Sequence, residues 1–110
     1  MSPPWSSALA ASLQRDRQQL LVAFVELRAR LRETTSANFA GGEAERDAAT
    51  EQTERDYIAL VEAGAAAARL EASLASADRE ATTREADGAA IIVRQMQELV
   101  AVLADRLPIE

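Results

Sequence analysis

Large apolar residues recur at heptad spacing along the first third of the chain, and this periodicity constrains the fold more than any other feature. Leu13, Leu20 and Leu27 are seven residues apart, and Phe24 and Leu31 lie four residues beyond the last two. Such spacing places the side chains along one side of an α-helix, where they pack against a second helix. The pattern therefore predicts a coiled-coil-like pairing of helices.

The composition predicts that the remainder of the chain is helical as well. The 110 residues include 25 alanines, whereas the β-branched and aromatic residues that favour strands are few and scattered. Hydrophobic residues make up 48% of the chain but aromatic residues only 4%, so the core must consist mainly of Ala, Leu and Val. We expect an all-α fold in a single domain.

Two adjacent glycines, Gly41 and Gly42, predict where the first helix ends, because glycine readily adopts the left-handed conformation that terminates helices. A serine N-cap at Ser6 or Ser7 predicts its beginning. The chain then turns at 39–42 into a second helix. These signals predict an antiparallel helical hairpin.

The charges and apolar positions of the two helices match across this turn. Residues 1–40 carry a net charge of +2 and residues 41–110 a net charge of −8. Arg17 occupies a position where an apolar residue is expected, which weakens the first seam. An antiparallel hairpin pairs positions whose numbers sum to about 83. The predicted neighbours are Arg32 with Glu51, Phe24 with Ala59 and Leu60, and Leu13 with Leu70.

A polar stretch predicts a bend after the second helix. Thr82-Thr83-Arg84-Glu85 has the capping-box pattern that begins many helices, although neither Gly nor Pro enforces a break there. The alternative is one continuous helix from Glu43 to Leu107. Small residues around Gly64 allow the hairpin helices to approach closely. The predicted segments are a flexible N-terminus (1–6), the hairpin (7–75), a C-terminal amphipathic helix (76–107) and a tail (108–110).

The C-terminal helix has the widest apolar arc of the chain, since a second stripe runs beside the first. An arc this broad indicates contacts on two sides, so it either completes a three-helix bundle or meets another chain in an extended coiled coil. We assign the predicted protein interface to this arc: Ile92, Val93, Met96, Leu99, Val100, Leu103 and Leu107.

Trp5 is the only tryptophan and lies in the segment before the first helix. It either packs on the first helical turn or inserts into a pocket of a partner protein. Because tryptophans near termini frequently anchor interfaces, Trp5 joins the predicted interface residues.

The composition argues against most enzyme and cofactor chemistry. The chain has no His and no Cys, which removes the usual general base, the thiolate nucleophile and the commonest zinc ligands. The carboxylates near the start of the second helix resemble a solvated helix face, with Glu51 and Arg55 in the favourable i,i+4 order. We therefore expect no enzymatic activity, no cofactor and no metal site.

Charge and hydropathy also limit the partners. A net charge of −6 opposes binding to nucleic acid, and no aromatic residues lie among the arginines to stack on bases. Arg94, Gln95 and Glu98 interrupt the most apolar segment, so we expect no membrane insertion. Without a visible secretory signal, we expect a cytoplasmic protein whose partners are proteins.

The Phe39-Ala40-Gly41 segment at the predicted turn resembles the aromatic-x-Gly turn of the WXG100 secreted hairpins. The resemblance covers three residues and a shape, with Phe where that family has Trp and with a third apolar helix added. It implies a secreted helical hairpin of a specialised secretion system. The alternative hypothesis from the residues is a small helical chaperone of such a system, whose C-terminal apolar face holds an amphipathic helix of an export substrate. The main hypothesis from the residues themselves is a non-enzymatic helical scaffold subunit that assembles by coiled-coil packing in a larger complex, as a homo- or hetero-oligomer.

Overall fold

The protein is a bundle of three α-helices, α1 (Ser6–Asn38), α2 (Glu43–Ala77) and α3 (Thr83–Arg106). The computed structural model describes residues 4–38 and 43–106, with side chains described over 4–33, 48 and 50–106. Each helix packs against both of the others. The predicted all-α fold is therefore confirmed in its three-helix form, and the continuous helix from Glu43 to Leu107 is excluded. The predicted turn at 39–42 lies outside the described residues.

Ion pairs between α1 and α2 show that the two helices run antiparallel. Arg17 contacts Glu71 near one end, and Arg28 contacts Glu54 toward the other. The sum of the two residue numbers is slightly above the predicted value of about 83 in one pair and slightly below it in the other. Arg32, however, contacts Glu54 and not the predicted Glu51. The hairpin register predicted from the sequence is thus correct to about one helical turn.

The cluster with the most large buried residues lies in the half of the bundle nearer the α1–α2 connection. Phe24, Leu60, Met96 and Leu103 form this fully buried cluster, which joins all three helices. Toward the opposite end, each cluster combines one buried leucine with two alanines: Leu13 with Ala67 and Ala89, and Leu74 with Ala10 and Ala81. The scarcity of large apolar residues therefore gives a core in which leucine packs against alanine at that end.

A left-handed residue and a capping box make the corner between α2 and α3. Asp78, with φ of 47°, follows the last residue of α2, in the position that glycine most often occupies. The hydroxyl of Thr82 accepts a hydrogen bond from the Glu85 amide at 3.0 Å, and the Glu85 carboxylate accepts one from the Thr82 amide at 2.9 Å. The predicted capping box is thus confirmed, and aspartate supplies the stop that the sequence did not mark.

The segment before α1 is tied to this corner. The Ser6 amide donates to the Arg79 carbonyl at 2.9 Å, and the Ala81 amide donates to the Pro4 carbonyl at 2.9 Å. Ser6 is fully buried, and its hydroxyl accepts a hydrogen bond from the Arg79 amide at 3.3 Å. Ser6 therefore fastens two parts of the chain instead of serving as the predicted N-cap. Hydrogen bonds also fix Pro4 and Ser6 within the segment that we predicted to be flexible.

Candidate functional site

The arc of α3 that was predicted to meet a partner is largely occupied within the bundle. Met96 and Leu103 have no exposed surface, because Phe24 and Leu60 surround them. Four other predicted interface residues are half-buried: Ile92, Leu99 and Val100 against this cluster, and Val93 with Ile92 against the cluster around Leu13. The two-sided contact inferred for α3 is thus made with α1 and α2, and the large aliphatic residues of α3 that stay exposed are Ile91 and Val102.

The two remaining predicted interface residues are Trp5 and Leu107. The side chain of Trp5 is 48% exposed, while its backbone forms an isolated antiparallel bridge with Glu80. The backbone of Trp5 is therefore held at the α2–α3 corner while about half of the residue is exposed. Leu107 lies outside the described residues, as do Phe39, Ala40 and Gly41.

Large exposed aliphatic residues instead occur together on the hairpin of α1 and α2. Val22, Val25, Ile58 and Val61 are between 45% and 57% exposed. Each lies nine residues from a side chain that faces the inside of the bundle or α3: Leu13, Asp16, Ala67 and Leu70, respectively. Nine residues are about two and a half helical turns, so the four aliphatic side chains point away from α3.

Uncharged residues extend this surface along both helices. On α2, Ile58, Val61, Ala65, Ala68 and Ala72 follow alternate spacings of three and four residues, and on α1 a similar stripe combines aliphatic residues with alanine and glutamine. We call the combined surface the hairpin face. Its members are Ala11, Gln14, Gln18, Val22, Val25 and Ala29 on α1, and Ile58, Val61, Ala65, Ala68 and Ala72 on α2.

The hairpin face was detectable in the sequence as a second heptad stripe. Apolar residues at 58, 61, 65, 68 and 72 continue the pattern on the side of α2 opposite to Leu60 and Ala67. The sequence analysis assigned the interface to the wider apolar arc of α3 and not to this stripe, because a single sequence does not show which of two apolar stripes becomes buried.

Paired charges close the end of the hairpin face nearer the α1–α2 connection. The Arg28 Nε donates to the Glu54 carboxylate at 3.0 Å, and the Arg32 Nη2 donates to the same oxygen at 3.3 Å. The Arg28 guanidinium also lies 4.8 Å from the centre of the Tyr57 ring, in cation–π geometry. These arginines are thus engaged within the molecule.

Arg17, which interrupts the apolar seam, is satisfied by a carboxylate of α2. Its Nε and Nη2 donate to the two oxygens of Glu71 at 2.6 and 3.0 Å. The hydrogen bond to Glu71 raises the pKa of Arg17 above its ordinary value. A two-pronged pair of this kind fixes the relative position of the two helices. The weak place in the seam is therefore a point of register between α1 and α2.

A second charged contact fastens the end of α3. The Arg106 Nη2 lies 2.7 Å from the Asp56 Oδ2, although that buried oxygen receives no hydrogen bond of good angle. The Arg106 Nη1 donates to the buried Thr53 hydroxyl at 3.4 Å. Asp56, one of the acids predicted to form a solvated helix face, thus holds α3 against α2.

Two open grooves flank α3, with volumes of about 310 Å³ between α1 and α3 and about 390 Å³ between α2 and α3. The first is lined by leucine, valine and alanine side chains together with the polar residues Ser12, Asp16, Arg94 and Gln97. The second contains the exposed Val102 beside the half-buried Leu99. Both grooves are open to solvent, whereas a typical small-molecule site encloses most of its ligand. The hairpin face is therefore the stronger candidate for a functional surface.

Comparisons with known proteins add no assignment to this geometry. Within the part of the chain that the structure describes, none of the helices is long and apolar enough to cross a membrane. Among the same residues, no group of three or more carboxylates is placed to hold a metal ion. The chain matches no protein-family model, no curated protein and no solved structure.

Proposed function

We propose that this protein is a non-enzymatic helical interaction subunit that assembles with protein partners by helix packing. The observation that carries the proposal is the hairpin face, where Val22, Val25, Ile58 and Val61 are about half exposed on one side of the bundle. Exposed aliphatic residues are unremarkable when they are scattered, but a continuous apolar surface bordered by polar residues is typical of a binding site.

The position of the hairpin face favours helix packing over binding of an extended peptide. Its members are the outward residues of two antiparallel helices, and they follow the three- and four-residue spacing that an approaching helix requires. The alanines on the α2 half let such a helix come close. Helix-on-helix docking of this kind is a standard mode of protein recognition.

The alternative of a chaperone or secreted hairpin that holds a substrate on α3 has less support. Its binding face would need Met96 and Leu103, and both are fully buried between α1 and α2. Exposing them would require α3 to leave the bundle. No observation in the structure favours that rearrangement over the exposed hairpin face.

Site-specific photo-crosslinking in the source cells tests the proposal. A photoreactive amino acid replaces Val61 in one variant and Ala101, an exposed residue of α3, in the control. We expect discrete adducts from position 61 that are absent from position 101. Equal labelling at the two positions, or no adduct at position 61, would contradict a binding role for the hairpin face.

A further inference from the structure

Four unpaired charges border the hairpin face in an arrangement that repeats itself under a two-fold rotation. Arg15 and Glu26 are exposed on α1, and Glu62 and Arg69 are exposed on α2. Within the described part of the chain, none of these four side chains has an ion pair or hydrogen bond. They are therefore free to meet charges on another molecule.

All four charges lie on the outer edges of the hairpin face. Arg15 and Glu26 are each two residues from Arg17 and Arg28, the arginines that reach across to α2. Residues two apart point to nearly opposite sides of a helix, so Arg15 and Glu26 lie on the edge of α1 that is remote from α2. By the same spacing from Glu71 and the buried Leu60, Arg69 and Glu62 lie on the remote edge of α2.

Near the middle of the face, each edge therefore carries one positive and one negative unpaired charge, about three helical turns apart on α1 and about two turns apart on α2. Glu33 on α1 and the Glu51–Arg55 pair on α2 lie farther along the same edges, nearer the α1–α2 connection. The midpoint of Arg15 and Glu26 falls between residues 20 and 21, and that of Glu62 and Arg69 falls between residues 65 and 66. Both midpoints lie at the same level of the hairpin, between the Arg17–Glu71 pair and the contact of Phe24 with Leu60.

We propose that a second copy of this chain covers the hairpin face, antiparallel to the first and related to it by a two-fold axis near residues 20–21 and 65–66. This inference rests on the proposed interaction function and names the partner. In that arrangement Arg15 of one copy meets Glu26 of the other, and Glu62 meets Arg69. Each charge pair occurs twice, and like charges do not meet at these positions.

On α2, the apolar residues complement each other in the same arrangement. The large residues Ile58 and Val61 lie on one side of the axis on α2, while the small residue Ala72 lies on the other. The two-fold rotation places Ile58 of one copy over Ala72 of its partner, so large side chains cover small ones. The uncharged face also lets two molecules with a net charge of −6 approach without burying a charge.

The size of the hairpin face predicts a dimer of moderate strength. The stripe from Ala11 to Ala29 is about 27 Å long at about 1.5 Å per residue, and the face is two helices wide. Such a patch falls at the lower end of specific interfaces, which bury about 800 Å² on each partner. We therefore expect a dissociation constant in the micromolar range, roughly 1 to 100 μM.

Sedimentation equilibrium of the purified full chain, from about 1 μM to about 1 mM, tests the proposal. We expect a transition from 11.8 kDa to twice that mass. The Val25→Glu/Val61→Glu variant should lose at least a hundredfold in affinity, so that its transition to the dimer moves to concentrations at least about a hundred times higher. The matched control Ile91→Glu/Val102→Glu places the same charges on exposed aliphatic residues of α3 and should dimerise like the wild type. Circular dichroism verifies that both variants remain helical.

A charge swap tests the orientation. Arg15→Glu sets two like-charged pairs in the dimer and should weaken it about tenfold, since each exposed pair contributes roughly 0.2–1 kcal/mol. Adding Glu26→Arg to the same chain restores opposite charges and should recover most of the affinity. Because the chain contains no cysteine, an Ala65→Cys variant adds a single thiol beside the axis, where a short thiol-reactive linker should join two copies. Ala101→Cys is the control and should not be joined.

A wild-type chain that stays at 11.8 kDa up to about 1 mM would overturn the proposal. So would a dimer that the hairpin-face variant leaves intact, or a charge swap that fails to recover affinity. These failures are distinct from failure of the interaction function. If position 61 yields adducts in cells with a mass other than twice that of the chain, the second copy is wrong and a different protein occupies the face.

Discussion

Replacing Met96 with alanine tests directly whether α3 belongs to the core. Met96 is fully buried and packs with Phe24, Leu60 and Leu103, so the three heavy atoms beyond its Cβ all lie inside the bundle. Removing them forfeits roughly 0.8 kcal/mol of transfer free energy for each atom. The part of the resulting cavity that does not collapse adds about 24 cal/mol per Å³. We expect Met96→Ala to lower the free energy of unfolding by about 3 to 4 kcal/mol.

Urea unfolding followed by circular dichroism measures this loss, with thermal melting as a second readout. For a chain of this length, a loss of this size lowers the melting temperature by about 10 to 20 °C. The matched control is Ile91→Ala on the same helix. Because Ile91 is 54% exposed, its truncation should change the free energy of unfolding by less than about 0.5 kcal/mol.

The comparison of the two variants decides between the core and the interface role of α3. If α3 were detached from the hairpin and waiting for a partner, Met96→Ala and Ile91→Ala would have similarly small effects on the isolated chain. Equal losses below about 0.5 kcal/mol would therefore refute the packing described above. Measurements at one low protein concentration keep self-association out of the comparison.

Three further predictions concern local features of the fold. Ser6→Ala removes the buried hydroxyl that accepts a hydrogen bond from the Arg79 amide, and should lower the free energy of unfolding in urea by about 1 kcal/mol. Ser7→Ala, at an exposed position, is the control and should leave it unchanged. Gly64→Ala should stabilise by about 0.5 to 1 kcal/mol, because a Cβ there would meet only an ordinary contact at 3.9 Å; a lower melting temperature would contradict this. Hydrogen bonds from Arg79 and from the Thr82 amide hold the pKa of Glu85 at about 2, below its ordinary 4.5. The stabilisation from Glu85 is thus complete above pH 4.5 and lost as the pH falls toward 2, a component that Glu85→Gln should lack in unfolding titrations.

The sequence was sufficient to predict the helices and most of their ends, because those features depend on local signals. The Thr82–Glu85 capping box began α3 as expected, since its two hydrogen bonds require only residues three apart. The hairpin register followed from heptad spacing and charge. In contrast, Asp78 was not marked as a helix stop, because aspartate in the left-handed conformation is uncommon and depends on the surrounding corner.

Two features of the fold could not be predicted because they depend on distant parts of the chain. The hydrogen bonds of Ser6 to Arg79 join residues 73 positions apart, and no local pattern indicates such a contact. The choice between the two apolar stripes of the molecule is also non-local. Met96 and Leu103 became core because Phe24 and Leu60 offered them a large apolar surface, which left the smaller stripe at Val61 and Ala65 exposed.

That choice leaves exposed aliphatic residues on the side of the hairpin away from α3. A chain whose aromatic residues make up only 4% has few large side chains, and the bundle uses most of them to join α3 to the hairpin. Four large aliphatic residues nevertheless remain together on the outside, although 27% of the chain is charged and polar residues are plentiful. If this surface only faced water, charged residues could replace Val22, Val25, Ile58 and Val61 without disturbing the packing of the core. Their clustering, between edges that each carry charges of both signs, is what the proposed self-association of the hairpin face would use.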